Sequence, residues 1–581
     1  MVVTAPSDRI DLPKRVFSRD SVSLWKAVAA KIRRIEREAF RRRLLGSRAS
    51  AMLLAMKLFL KTVSICVPLL LLLTGGIRLN ADDREEGNQT AAAAAMPESA
   101  IDYAAFEESE ASEYFFMVKA YADYMITHGR DRYGKEHSPL FATTINRETG
   151  DVYEQGHPKA PEGIREGDRT WRGANPANND GLYVLLRSLT AITGDPVYAD
   201  EADKAIDWFF AHCQSPTTGL MAWGEHMGWD FFTEKPITVG RSSSTHEYQD
   251  FANWDRVWAT NPTAAERYAM GLWDHQIYAK EGEFAGEFSR HADYFEHKPS
   301  KGRAFPAHGG KYIKVWARAY KETGNQEFLR AITTLLDYYQ RQTSPVSGAI
   351  NYATDYPEHY TPDHSLALAS FLYKSMGNVP ADLAARMKAM ADQTDPLYIG
   401  FEHDPGPGGI GFVKFAHVHT LEPGEQREIH KAKNKIPRTS MWTSGYSASV
   451  SVDSANNCYG RYEQTRMKGY LDLFMKSGEA YYQSEPPDTP DKDLYPSNFG
   501  GVISMMRNMY KETGDAKYMV RARELLDISL EVIMDDSSPL PKASRNSKHY
   551  EAITGGDEFM GNVLAMWQFL NKETAAGGTG G

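Results

Sequence analysis

The chain has few cysteines and few long apolar segments. Three of its 581 residues are cysteine, Cys66, Cys213 and Cys458, which excludes a disulfide-dense scaffold and a cysteine-rich zinc module. The one long apolar run covers residues 62–77, so a multi-pass membrane bundle is also excluded. A composition of 42% hydrophobic, 24% charged and 12% aromatic residues is typical of a globular protein with one large or two ordinary domains.

Basic residues are scarce beyond the first 81 positions. Residues 1–81 hold 16 of the 66 lysines and arginines but only 5 of the 76 aspartates and glutamates. The remainder therefore carries 50 basic and 71 acidic side chains, a formal charge of −21. Because phosphate affinity comes from basic surface, this excludes nonspecific binding to nucleic acids and to anionic membranes.

The N-terminal segment has the pattern of an export signal. From Met56 to Ala81 a short basic start is followed by an apolar core and then by small or neutral residues, which is typical of a cleavable signal. The alternative is an uncleaved anchor that touches the membrane through residues 56–77, with a basic cytoplasmic tail. In both cases we expect the rest of the chain to be exported, to the periplasm or the outside of the cell.

Four regions follow from these patterns. We expect an N-terminal basic segment with an export signal or anchor at 1–81, a flexible leader at 82–104, a catalytic domain at 105–572 and a disordered tail at 573–581. In an oxidising compartment Cys213 and Cys458 can pair if the fold brings them together, and the alternative is two buried free thiols.

A helix, turn, helix pattern repeats along the domain. Segments beginning at Leu186, Trp316 and Met506 each contain an apolar-periodic helix, a Thr-Gly-Asp or Thr-Gly-Asn turn and a second helix. The turn glycines can take the left-handed conformation that ends a helix, and the next residue can cap the following one; these glycines are Gly194, Gly324 and Gly514.

About a dozen such helices, each burying one face against its neighbours, predict either a closed ring or a stacked solenoid. The long loops rich in Trp, Tyr and His between the hairpins favour a ring with a central cleft. The predicted fold is mainly α, an (α/α)6-type toroid of helical hairpins. Residues 398–456 alternate between apolar and polar side chains, which predicts a small inserted β-sheet.

The hairpin repeat and its aromatic loops resemble the (α/α) toroid of carbohydrate-active enzymes, including uronate polysaccharide lyases, unsaturated glucuronyl hydrolases and N-acylglucosamine epimerases. The resemblance covers most of residues 105–572 and implies an enzyme that acts on polysaccharides. The stretch around Asp180 is similar to the Asp-x-Gly-Phe stretch that opens a helix in the hydrolases, where the aspartate is catalytic. Here Gly181 follows Asp180 directly, and Asn179 stands where those enzymes have a histidine.

The Thr-Gly-Asp turns mark one end of the hairpins, so the segments before first helices and after second helices are predicted to meet at the opposite end, called the mouth below. Aromatic faces stack on sugar rings, whereas amides and carboxylates bond hydroxyl groups. The alternative is that the aromatic side chains cap the hydrophobic core. The predicted substrate-binding residues are Asn178, Trp223, Glu225, His246, Tyr248, Tyr312, Tyr352, Tyr459, Arg461 and His549.

A uronate lyase must neutralise a carboxylate, remove the proton on carbon 5 and help the leaving oxygen depart. The resemblance implies Asn or Arg for the first task and His or Tyr for the others. A neutral His is a workable base if its pKa suits the working pH. The predicted catalytic residues are Asn178 and Asn179 as neutralisers, His226 or His308 as base and Tyr462 as acid. On a helix Tyr459 and Tyr462 can face the same way, but Arg461 cannot join them.

Two other functions remain open. A hydrolase of the unsaturated glucuronyl type would use Asp180, with Glu225, Asp230 or Glu247 as a second carboxylate. A non-catalytic protein would only bind the glycan. The paired asparagines and the excess of His and Tyr favour β-elimination of an acidic polysaccharide or oligosaccharide. The charge of −21 opposes this unless the cleft is locally basic.

No cofactor is predicted. His359 and His364 lie five residues apart, and His417 alternates with His419. Neither spacing places two imidazoles on one helical face, so no metal site is expected. A Gly-rich phosphate loop and a Gly-x-Ser-x-Gly nucleophile motif are both missing from the sequence.

Overall fold

The computed structural model describes residues 110–238, 245–424, 438–442, 450–489 and 493–577. The predicted segments 1–81 and 82–104 lie outside these residues. Within them the chain forms fourteen α-helices, which confirms a mainly α fold. In chain order the helices are α1 (Glu110–Thr127), α2 (Asp180–Thr193), α3 (Val197–His212), α4 (Trp254–Thr260), α5 (Pro262–Gly271), α6 (Pro306–Thr323), α7 (Gln326–Arg341), α8 (Pro362–Ser375), α9 (Ala381–Gly400), α10 (Ser451–Thr465), α11 (Lys468–Gln483), α12 (Pro496–Thr513), α13 (Ala516–Ile533) and α14 (Gly556–Gly577).

Six pairs of long helices, five of them hairpins of consecutive helices, close into the predicted toroid. In the inner layer α6 packs on α8, α8 on α10, α10 on α12, α12 on α14 and α14 on α2. Each inner helix also packs on one outer helix, namely α7, α9, α11, α13, α1 and α3. The short helices α4 and α5 bridge the remaining gap between α3 and α6. Because α1 packs on α14, the first and last helices described close the ring.

The hairpin turns have the predicted conformation. Gly194, Gly324 and Gly514 end α2, α6 and α12 with φ values of 73°, 71° and 70°, a left-handed backbone that glycine adopts without steric cost. The Asn325 side chain accepts from the backbone N–H of Glu327, and Asp515 caps α13 in the same way.

Nine short strands lie in the loops, and every pairing among them is antiparallel. They are β1 (Thr144–Ile145), β2 (Gly173–Ala174), β3 (Met227–Asp230), β4 (Lys235–Thr238), β5 (Thr245–His246), β6 (Ala292–Asp293), β7 (His359–Tyr360), β8 (Ala416–His417) and β9 (Tyr550–Glu551). The three-stranded sheet β2-β3-β4 is the largest, and the two-stranded sheets are β1-β9, β5-β6 and β7-β8.

Part of the β-structure lies within the predicted range 398–456, and the rest lies in other loops. The described part of residues 398–456 contributes β8, whose partner β7 comes from the loop before α8. The ends of this range are helical, because α9 continues to Gly400 and α10 begins at Ser451. Helix α14 likewise continues to Gly577, into the predicted tail at 573–581.

The core lies between the two helix layers. In α7 the buried residues Phe328, Ile332, Leu335 and Tyr339 follow one another at spacings of three and four, so they form one apolar stripe. Cys213 and Cys458 are both buried and free, which confirms the alternative of two separate thiols. Among the helices described, none is long and apolar enough to cross a membrane.

Candidate active site

Two small sheets bring distant charged residues together at the mouth. In the β5-β6 pair His246 lies opposite Ala292, so Glu247, which follows β5, lies beside the Arg290–His291 pair that precedes β6. Strand β3 begins just after Glu225 and His226 and pairs with β2 and β4. We call Arg165, Glu225, His226, Glu247, Arg290, His291 and His308 the mouth cluster.

Glu247 is the centre of this cluster. Its side chain is 1% exposed, and both of its carboxylate oxygens accept from Arg290 Nη1 at 2.8 Å. His308, in the first turn of α6, places Nε2 2.8 Å from Glu247 Oε1. His291 Nε2 lies 3.2 Å from Oε2. Two histidines and one arginine therefore hold a single buried carboxylate.

Glu225 extends the cluster toward the preceding loop. Its Oε2 lies 2.6 Å from Arg290 Nη1 and 3.3 Å from His226 Nε2. Its Oε1 pairs with Arg165, whose Nε also contacts Asp168 at 2.6 Å. The predicted binding residue Glu225 and the predicted base His226 therefore lie in one network with His308.

One ring nitrogen of His226 is engaged in a hydrogen bond to the backbone. Its Nδ1 lies 2.8 Å from the carbonyl oxygen of Gly167, and a carbonyl only accepts, so Nδ1 carries the proton in the neutral ring. The lone pair is then on Nε2, which points at Glu225 and has no hydrogen-bond partner among the described residues.

Three side chains could hold a divalent cation. One donor atom from each of Glu225, His226 and His291 lies within 4.8 Å of the others, the one group of this kind in the described part of the chain. The hydrogen bond from His226 Nδ1 to the Gly167 carbonyl oxygen orients the ring, as a partner on the non-ligating nitrogen does in metal sites. Two imidazoles and a carboxylate suit a transition-metal ion better than calcium.

The environment sets the charges of the cluster. Burial raises the pKa of Glu247, but hydrogen bonds from His291 and His308 and the charge of Arg290 outweigh it and hold that pKa well below its usual value. The pKa of Glu225 is also lowered: burial opposes ionisation, and the hydrogen bond from His291 favours it. Burial lowers the pKa of His308 to about 4. At neutral pH both carboxylates are therefore ionised and His308 is neutral.

Lys311 follows His308 by one turn of α6. Its Nζ donates to Gln249 Oε1 at 3.0 Å. Burial lowers the pKa of Lys311, while the charges of Glu247 and Asp250 raise it by less. Lys311 is therefore easier to deprotonate than an exposed lysine.

A cavity of about 770 Å³ opens between α2, α10, α12 and α14, and Asn178 and Asp180 line it. Asp180 accepts from the backbone N–H of Ala252 and from Asn253 Nδ2, both at 2.7 Å. Burial raises the pKa of Asp180 to about 6. Asn179, next in sequence, is fully buried.

Four predicted binding residues belong to the core, which supports the alternative that loop aromatics are structural. Trp223 packs among Phe209, Phe210 and Phe251 and donates from Nε1 to the Tyr268 hydroxyl at 3.2 Å. His246 bonds the Met221 carbonyl oxygen at 3.0 Å. The four predicted binding residues that are fully buried in the core are Trp223, His246, Tyr248 and Tyr312.

Three predicted residues lie at the turn end of α10, away from the mouth. Tyr459 donates to Glu512, close to the Gly514 turn. Arg461 forms a buried ion pair with Asp395, with nitrogen to oxygen distances of 2.8 and 2.9 Å. Tyr462 lies beside Tyr459, with ring centroids 6.1 Å apart. The structure therefore does not bring these residues to His226 and His308.

The remaining predicted residues lie in different environments. Tyr352 stacks on Phe305 beside the cluster, with ring centroids 4.6 Å apart. His549 is buried and bonds Glu551 Oε2 through Nε2 at 2.7 Å. Asp230 is held by Arg172 at 2.7 Å, so it is not free to act as a second carboxylate.

Sequence reasoning missed Arg290, His291 and Lys311. The first two precede α6, so the hairpin rule that located the mouth also applies to them. Lys311 follows His308 at a helical spacing of three, which places both on one face. The cation donors were missed because they meet through strand pairing rather than through close spacing along the chain.

The family model described as periplasmic pectate lyase matches residues 138–339, a range that contains the whole mouth cluster and Lys311. No curated protein matches the chain. Similar solved structures include a D-mannose isomerase (10% identity, TM-score 0.44, covering 81% of this chain and 100% of that one), an unsaturated glucuronyl hydrolase specific for heparin (12%, 0.40, 79% and 98%) and an α-1,6-mannanase from Salegentibacter sp. HEL1_6 (12%, 0.37, 78% and 99%).

Proposed function

We propose that the chain is an exported carbohydrate-active enzyme, a lyase that cleaves a pectate-type polyuronate by β-elimination at the mouth cluster. The observation that carries the proposal is the mouth cluster itself, where Arg290, His226, His291 and His308 surround Glu225 and Glu247. The family match over residues 138–339 supports the same chemistry.

Substrate binding depends on positive charge at the mouth. Arg290 uses Nη1 for both glutamates, and its side chain is 17% exposed, so its other nitrogens can meet a substrate carboxylate. A guanidinium matches the two oxygens of a carboxylate. The guanidinium of Arg290 can therefore bind a uronate carboxylate at the mouth although the chain as a whole is acidic.

Glu225, His226 and His291 could hold a divalent cation, because each offers one donor atom within 4.8 Å of the others. Such an ion would supply further positive charge for the uronate carboxylate and make the proton on carbon 5 more acidic. Glu247 then acts as a positioning residue, since it fixes Arg290 and His291 together.

We assign the proton transfer to Lys311. His226 and His308 are poor bases here, because His226 turns Nε2 toward Glu225 and His308 Nδ1 is buried. The Lys311 amine takes the proton from carbon 5, a double bond forms between carbons 4 and 5, and the bond from carbon 4 to oxygen breaks. The resulting ammonium group returns the proton to the leaving oxygen.

The unsaturated glucuronyl hydrolase alternative is less well supported. It would centre on Asp180, whose pKa of about 6 suits a general acid. The cavity around Asp180, however, is lined by further carboxylates and, among the residues described, by no lysine, arginine or histidine. An anionic unsaturated sugar would be repelled there.

The test uses polygalacturonate as substrate and counts two products. A lyase forms one unsaturated end, read from its ultraviolet absorbance, for each new reducing end; a hydrolase forms reducing ends alone. We expect Arg290→Ala and His226→Ala to lower turnover by about 100-fold or more.

Tyr462→Phe is the matched control, because Tyr462 lies at the opposite end of the hairpins, and it should leave turnover unchanged. Equal turnover in wild type and Arg290→Ala, with both proteins folded, would reject the proposed site.

A further inference from the structure

The cavity between the inner helices is a feature separate from the mouth cluster. Its volume of about 770 Å³ lies in the range of small-molecule sites, ~300–1,000 Å³. It begins at the first turns of α2, α10, α12 and α14 and extends along these helices to Ser188, Ser504 and Gln568. None of the mouth-cluster residues lines it.

The cavity differs from the mouth cluster because its described lining contains carboxylates but no lysine, arginine or histidine. Burial raises the pKa of Asp180, Asp453 and Asp557 to about 6 each. The remaining polar lining consists of amides and hydroxyls, such as Asn456 and Ser504. The lining carboxylates are Asp180, Asp250, Asp453, Asp557 and Glu558.

Two buried acceptors at this cavity have no donor in the described part of the chain. Asp557 is 2% exposed; its Oδ1 accepts from the hydroxyls of Tyr121 and Tyr550, but its Oδ2 has no hydrogen-bond partner. Asn456 Oδ1 is likewise buried without a partner. Buried acceptors are normally satisfied, so both point to a ligand that donates hydrogen bonds.

A bare metal ion does not fit this arrangement. The described residues bring three metal-ligating groups within 4.8 Å of one another only at Glu225, His226 and His291. The carboxylates of the cavity are therefore spread around its wall rather than gathered at one point.

We propose that this cavity binds uncharged sugar residues, so that the chain has a second glycan site beside the uronate site. Sugar hydroxyls donate to the carboxylates and to Asn456, and Leu185 and Leu564 provide apolar contact for the ring. Uronates are rejected by like charge. The proposal stands apart from the lyase activity, and it assigns the neutral sugars of a mixed polysaccharide to this cavity.

Gly561 gives a direct test. An added Cβ at Gly561, which lines the cavity on α14, meets no atom within 4 Å, so Gly561→Phe fills the cavity from a tolerant position. Gly460→Phe is the matched control, because Gly460 is also helical and also meets open space, but it does not line the cavity. Gly561→Leu is a smaller second insert.

Calorimetry of wild type with neutral tetrasaccharides of galactose, arabinose, xylose, mannose and glucose should detect binding of at least one. Gly561→Phe should weaken that binding about 10-fold or more, which equals a loss of about 1.4 kcal/mol. Gly460→Phe should keep it, and tetragalacturonate should not compete. Lyase turnover should be the same in all variants, which also reports their folding.

The proposal is overturned if wild type binds none of the five sugars, or if both Gly561 variants bind as wild type does. Competition by tetragalacturonate would also overturn it. If the chain lacks lyase activity but still binds a neutral sugar, and Gly561→Phe weakens that binding while Gly460→Phe does not, the proposed function is rejected and this inference stands.

Discussion

At the scale of single residues, the number of partners distinguishes structural from functional charges. Arg461 is fully buried and its ion pair with Asp395 is supported by the Tyr470 hydroxyl at 2.8 Å. Such a pair is closed to a ligand. Arg290 is partly exposed and shares one nitrogen between two carboxylates, which leaves the rest of its guanidinium for substrate.

Arg461→Met should therefore destabilise the fold without a specific loss of catalysis. Removing the arginine leaves the Asp395 carboxylate buried and unpaired, at a cost of about 3–5 kcal/mol in the free energy of unfolding. Urea denaturation would measure this. A change below about 1 kcal/mol, or a fall in turnover of the folded variant, would return Arg461 to the list of substrate-binding residues.

Residue identity alone predicted part of the site. Glu225, His226 and His308 were chosen because they flank helices at the mouth, and they share one network. Trp223, His246, Tyr248 and Tyr312 were chosen by the same rule but lie in the core. Position along the chain predicts which end of a hairpin a residue occupies, whereas its burial depends on packing that no local pattern reveals.

At the scale of elements, the turn glycines limit where each hairpin reverses. Gly324→Ala should destabilise the fold by about 1 kcal/mol, because an added Cβ meets no atom but the left-handed φ of 71° opposes it. Gly460→Ala should instead be neutral or stabilise by up to about 1 kcal/mol, since Gly460 is inside α10. Equal effects in thermal unfolding would show that φ is not the cause.

The hairpins were predictable because their signals are local: apolar spacing, a left-handed glycine and a capping residue. The sheets were not, because β5 and β6 pair residues that are far apart in sequence: His246 pairs with Ala292, 46 positions later, and Thr245 pairs with Asp293, 48 positions later. That pairing builds the mouth cluster, so the most informative contact for function was also the least visible in the sequence.

At the scale of the whole molecule, charge is segregated. The mouth cluster holds two arginines, two glutamates and three histidines, while the described lining of the cavity has carboxylates and no basic side chain. A chain with an acidic average can therefore still recognise a polyanion, and the response to salt should show it. Raising ionic strength should increase KM for polygalacturonate more than it changes kcat. An unchanged KM between low and physiological salt would contradict this.

Removal of divalent ions should abolish polyuronate cleavage. Dialysis against a chelator would remove a divalent ion held by Glu225, His226 and His291, so turnover should fall about 100-fold or more. Manganese, cobalt or nickel should restore it better than calcium, as two imidazole donors require. Full activity of the chelated wild type would remove the cation from the account while leaving Arg290 testable.

The pH dependence of kcat tests Lys311. The reactive form is the neutral amine, so kcat should rise with pH, and a lowered pKa moves that rise below the range of an ordinary lysine. Lys311→Ala should remove this rise along with most of the activity, whereas Lys314→Ala is a control on the same helix. A Lys311→Ala profile that parallels wild type would assign the proton transfer to another group.

The central claim is that the mouth cluster breaks a uronate chain without adding water. The most direct measurement is the mass of the products formed from a defined oligogalacturonate. β-Elimination predicts two fragments whose masses sum to that of the substrate, with the fragment formed beyond the broken bond carrying the double bond. Fragments whose summed mass exceeds the substrate by one water molecule would contradict the account and establish hydrolysis instead.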